Sequence, residues 1–129
     1  MVYLCGDTHG MQDINKVVRF FEYESSYKEL SKEDYLIILG DSGICWDDSI
    51  QDNEVRKIYR SLPVTTLFID GNHDNHELLA EYPVSMWHGG KVHEIDDGII
   101  HLMRGQIFEI EGETFFTFGG AYSIDKDDR

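Results

Sequence analysis

The chain has little sulfur chemistry to offer: Cys5 and Cys45 are its two cysteines. Two thiols make no spaced framework of the kind that staples small secreted domains, so they read as buried, reduced groups in a cytoplasmic protein. Positive charge is scarce too, with 11 Lys and Arg against 25 Asp and Glu and a formal charge of −14. That balance excludes a basic footprint for nucleic acid and is repelled by an anionic membrane. Most of the carboxylates belong to a solvated acidic surface, and only a few are available for cations. Long apolar runs are missing as well. The longest, Tyr35 to Leu39, is far too short to span a bilayer, and neither a basic start nor a long apolar stretch precedes Asp7. No repeat, low-complexity tract or linker-like stretch divides the 129 residues, a length that fits one domain over 1–129 with a core of its own.

What is present is a pattern of short apolar runs closed by Gly and Asp. Val2 to Cys5 ends at Gly6-Asp7, Tyr35 to Leu39 at Gly40-Asp41, and Val64 to Ile69 at Asp70-Gly71-Asn72, each suited to a buried strand. Between the first two, Met11 to Phe21 carries Ile14, Val17, Val18 and Phe21 at spacings of three and four, which predicts an amphipathic helix. Glu22 to Asp34 is polar and reads as a helix extension followed by a loop. Between the last two runs, Asn53 to Leu62 carries Val55, Ile58, Tyr59 and Leu62 at helical spacing, with Pro63 just past the expected stop. The expected fold class is therefore α/β, with a parallel βαβαβ front. After residue 83 come Lys91 to Ile95, Ile99 to Met103, Ile107 to Ile110 and Thr114 to Phe118, separated by Gly-containing turns and expected as antiparallel or mixed strands.

In open α/β sheets ligands gather outside the carboxyl ends of the strands. Three such ends present Asp7-Thr8-His9, Asp41 and Asn72-His73-Asp74, which are expected to converge. Two carboxylates, an imidazole and an Asn carbonyl form a mixed oxygen and nitrogen donor set that suits manganese, iron or zinc better than calcium. Two cations close together polarise phosphoryl oxygens and share an activated hydroxide, provided that a carboxylate bridges them, and Asp41 suits that role.

GDTHG at 6–10, GD at 40–41 and GNHD at 71–74, in that order, resemble the signature of the calcineurin-like metallophosphoesterases. The resemblance is close over residues 1–80 and looser beyond. It implies part of an αββα sandwich and hydrolysis of a phosphate mono- or diester at a site holding two divalent ions, with manganese the first choice. In that likeness Asp7 and His9 correspond to ligands of the first metal, Asp41 to the bridging carboxylate and Asn72 to a ligand of the second. His73 corresponds to the acid that protonates the leaving group, with Asp74 orienting its imidazole.

The family normally supplies further histidine ligands from a later Gly-His and Gly-His-x-His. No Gly-His occurs here, and no histidine follows His101, so the chain is expected to be the front part of a longer enzyme. The competing expectation is a non-catalytic metal-binding or interaction module. Ser42-Gly43-Ile44 follows Asp41 where the phosphoprotein phosphatases show Asp-Arg-Gly, so a phosphate-clamping arginine is missing there. His76, His88, His93 and His101 lack ligand spacing and read as surface or packed residues. Trp46 and Trp87 read as packing residues, with Trp46 near enough to Asp41 in sequence to roof the site. Arg104 reads as exposed or salt-bridged rather than as a substrate ligand. A partial sandwich would leave one sheet face bare, which predicts association, first of all as a homodimer, with a phosphorylated substrate as the other partner.

Overall fold

The computed structural model describes residues 1–6, 14–39, 50–70 and 76–117, with the side chains of 50–52 and 76 outside that description. The first strands are short because the apolar runs are short. β1 (Val2–Cys5), β2 (Tyr35–Leu39) and β3 (Thr65–Ile69) lie side by side and parallel, in a register that pairs Leu4 with Ile37 and Ile37 with Leu67. Both faces of β2 and β3 carry Leu, Ile, Phe or Thr, as strands covered on both sides require.

Helix α1 (Ile14–Ser25) buries Ile14, Val17 and Phe21, the stripe that three- and four-residue spacing dictates. It runs past Phe21 to Ser25, using the polar stretch that follows, where Lys28 pairs with Glu24 at 2.9 Å. Met11, the expected first residue, lies outside the described residues. Helix α2 (Ile50–Ser61) starts three residues earlier than its apolar pattern and buries Val55 and Tyr59, with Leu62 buried just beyond its end. The end of the helix and the turn after it are met by a side chain from outside. Lys32, in the connection before β2, donates from Nζ to the carbonyl oxygens of Arg60 at 3.1 Å, Leu62 at 2.8 Å and Val64 at 3.0 Å, meeting the negative end of the helix with a cation.

Two elements were not expected: the short helix α3 (His76–Ala80) and the strand β4 (Val84–Trp87), whose run is too brief and too exposed to stand out. β5 (Gly90–Asp96) and β6 (Ile99–Leu102) then join the same sheet, giving the order β1-β2-β3-β6-β5-β4. β6 runs parallel to β3 and antiparallel to β5, so the rear of the chain extends the parallel front. β7 (Ile107–Ile110) and β8 (Glu113–Phe116) form a separate hairpin; Phe118, the expected end of the last strand, lies outside the described residues.

The sheet divides two apolar layers. On the helix side Ile14, Phe21, Ile38, Tyr59, Phe68 and Ile99 form one cluster. On the other side the β7–β8 hairpin lays Phe108 and Ile110 against Ile37, Leu67, Val92 and Leu102, with Trp87 packed alongside as expected. Gly90 makes that approach possible, because the Phe108 ring occupies the place where a Cβ would stand. The hairpin leaves part of this face bare: Leu4 is 63% and Leu39 47% exposed. Met1 ties the hairpin to the sheet through its α-ammonium group, which binds Asp34 Oδ1 at 3.0 Å and the Glu111 carboxylate. Cys5 is half-buried rather than buried, and Cys45 lies outside the described residues.

Candidate active site at the carboxyl edge of the sheet

Parallel neighbours end at the same edge. Cys5 pairs with Ile38, and Leu39 with Ile69, so β1, β2 and β3 deliver the chain to one side of the sheet within about 10 Å, two interstrand spacings. β6 is parallel to β3 and ends there too. The sequence candidates Asp7 and His9 follow β1, Asp41 follows β2, and Asn72, His73 and Asp74 follow β3; all six lie outside the described residues, as does Trp46.

The described part of this edge is built around Asp70, the residue that follows β3. Its carboxylate is buried, with a relative exposure of 3%, and takes a hydrogen bond on each oxygen. His101 Nε2 lies 2.9 Å from Oδ1, and Arg104 Nε donates to Oδ2 at 2.8 Å. Arg104 is half exposed and reaches inward from the turn after β6, so it is the salt-bridged arginine the sequence suggests. His101 lies beside Phe68 on the helix face of the sheet, ring centroids 5.0 Å apart, and its Nδ1 stands 2.9 Å from Nδ1 of His93 on β5. Both imidazoles are buried, as packed histidines should be, and their planes are 4° from parallel. An open cleft of about 210 Å³ borders this cluster, lined also by Leu79 and Ala80 of α3.

The hydrogen bonds limit where protons can sit. A carboxylate accepts, so Nε2 of His101 carries a proton toward Asp70. The contact between the two Nδ1 atoms needs one proton, given by one ring and accepted by the other. Burial pushes the Asp70 carboxyl up, but the hydrogen bond and charge of His101, followed by those of Arg104, outweigh it and hold the group down at about 2. Burial pushes His93 down, and the neighbouring charge of His101 adds to that, against a smaller opposing pull from Asp70. The arrangement keeps the Asp70 carboxylate ionised and disfavours a charge on His93.

Sequence reasoning treated Asp70 only as a strand terminator and set both histidines apart. The pairing is carried by long-range register, and the available signal was period-two placement: Phe68 and Asp70, like Ile99 and His101, are two residues apart and share a face. Among the described residues no group of three or more His, Cys, Asp or Glu side chains is arranged to hold a metal ion. His88 is elsewhere, exposed at the β4–β5 turn with Nδ1 3.0 Å from the Glu109 carbonyl oxygen.

A mostly parallel α/β sheet with acidic and imidazole groups at its carboxyl edge defines a protein of the class that takes ligands at that edge. The family model described as calcineurin-like phosphoesterase matches residues 1–128, and the chain belongs to that family. Members are phosphoesterases that depend on divalent metals. Comparison with curated proteins and with solved structures gave no match. Among the described residues, no helix is long and apolar enough to cross a membrane.

Proposed function

We propose that this chain hydrolyses a phosphate mono- or diester at the carboxyl edge of its sheet. The observation that carries the reading is the set of adjacent parallel strand ends, with β1 followed at once in sequence by GDTHG, β2 by GD, and β3, after Asp70, by GNHD. The donor set fits divalent ions: Asp7 and His9 would hold one, Asn72 the other, and the Asp41 carboxylate both. Bound there, two such ions, manganese before iron or zinc, supply Lewis acidity and a water of lowered pKa. His73 binds the phosphoryl group and gives its proton to the departing oxygen, while Asp74 holds the imidazole in the tautomer that can do so. The substrate is a phosphorylated molecule whose class the residues do not name. A reducing compartment, the cytoplasm, belongs to this reading, because neither cysteine stands in a disulfide framework. So does a second copy of the chain over the bare face at Leu4 and Leu39, checked by sedimentation against a Leu4→Lys variant.

Manganese stoichiometry and turnover of an aryl phosphate, measured on the chain and on Asp41→Asn, test the reading. Tight binding of two ions and manganese-dependent turnover, both lost in the variant, are expected. Binding without turnover would instead favour a non-catalytic metal-binding module, the reading that the missing Gly-His ligands motivate.

A further inference from the structure

Asp70 is a costly way to end a strand. A buried carboxylate must recover its lost hydration, and replacing a buried ion pair by well-packed apolar groups is often neutral or stabilising. Closing the end of β3 needs no charge. Yet three separate pieces of chain converge here: His101 from β6, Arg104 from the turn after it, and His93 from β5, which fixes the rotation of the His101 ring. Each oxygen of Asp70 has a directional donor, so the carboxylate has little freedom to rotate.

The place matters as much as the contacts. Asp70 immediately precedes Gly71, and Asn72, His73 and Asp74 come next in sequence, before α3, where Leu79 is buried. We infer that Asp70 is a positioning residue for the phosphoesterase centre, clamped by His101 and Arg104 so that the end of β3, which 71–75 follow in sequence, is held at one point. The inference rests on the function proposed above for Asn72, His73 and Asp74. It assigns His101 and Arg104 a part in activity without contact with substrate. A displacement of about 1 Å in a reacting group costs on the order of 100-fold in rate, which is the scale on which such a clamp acts.

The test uses the full chain, wild type and the variants His101→Leu, His101→Gln and Arg104→Met. Two readouts are taken, amide hydrogen exchange over 71–75 and affinity for Mn²⁺ by calorimetry. His101→Leu removes the donor to Asp70, whereas Gln keeps a side-chain N–H within similar reach. Leu should speed exchange over 71–75 with α1 unchanged and weaken Mn²⁺ binding by on the order of 10-fold or more. Gln should bring both back toward wild type, a rescue that a purely space-filling role for His101 would not produce. Arg104 is half exposed, so Arg104→Met reports on the clamp even where His101→Leu fails to fold. Wild-type exchange and Mn²⁺ affinity in the folded variants overturn the clamp. A wild-type chain that binds no Mn²⁺ overturns the phosphoesterase reading instead, and the positioning role with it.

Discussion

The Nδ1 atoms of His93 and His101 stand 2.9 Å apart in nearly parallel rings, so one imidazole must give the proton of that contact and the other must take it. Two imidazolium rings cannot share the arrangement. The fold therefore resists protonation of His93, whose pKa lies below its ordinary value of 6.5 through burial and the neighbouring His101 charge.

The sign of the resulting pH dependence follows. Below about pH 6.5 the unfolded chain takes up a proton that the folded chain refuses, so stability present above that pH is lost as pH falls through the folded value. Urea midpoints should drop between pH 7 and pH 5, and His93→Gln should flatten that drop. An unchanged slope in the variant would remove His93 from the account.

Gly90 sits against an aromatic ring. An added Cβ would stand 2.6 Å from Cε1 and 2.8 Å from Cζ of Phe108, whose ring is fully buried. Overpacking of this kind costs about 1–3 kcal/mol, so Gly90→Ala should unfold at lower denaturant than wild type. Adding Phe108→Leu should recover part of the loss, which a double-mutant cycle would read as coupling.

Thr66 is the opposite case. It pairs in register with Leu36 and Ile99 on the helix face of the sheet, and its buried Oγ1 has no hydrogen-bond partner among the described residues. Valine has the same shape without the hydroxyl, so Thr66→Val should raise stability by about 1 kcal/mol, measurable as an upward shift in the melting temperature.

Lys32 binds the carbonyl oxygen of Arg60 in the last turn of α2 and those of Leu62 and Val64 just beyond it, at the expense of a pKa lowered by burial. Lys32→Met keeps the aliphatic stem and leaves those carbonyls without their cation. A loss of about 1–2 kcal/mol is expected, with faster amide exchange confined to the last turn of α2 and the start of β3. Global loss of protection would point to a wider role for Lys32.

Much of the front of the fold was legible because its signals are local. The strands β1 and β2 begin and end where their apolar runs do, and β3 begins one residue late, at Thr65 rather than Val64. Helical spacing found α1, with the extension past Phe21 that its polar sequel suggested, and α2, whose ends differ from its apolar pattern, since a helix continues wherever its backbone bonds can close. α3 was missed because five residues are too few for a helical period to register, and β4 because its four residues are too exposed to stand out as an apolar run. The reading of His93 and His101 as packed residues agrees with their burial, but nothing local pointed to their contact or to Asp70.

The sequence by itself determined where the parallel strands run, which helix faces are apolar, and that the strand ends carry Asp, His and Asn, because these depend on residues within a turn or two of one another. Only the tertiary structure decided what meets at Asp70, whose partners His101 and Arg104 lie 31 and 34 residues downstream. A register shift settles the rest. The turn at Asp97-Gly98 pairs Asp96 with Ile99, and unbroken pairing from there would set Glu94 opposite His101. The irregularity between Glu94 and Asp96 moves the register by one residue and puts His93 there instead. One residue of slip exchanges the faces of a strand, so whether an imidazole or a carboxylate reaches His101 is a property of the folded sheet and not of the local pattern.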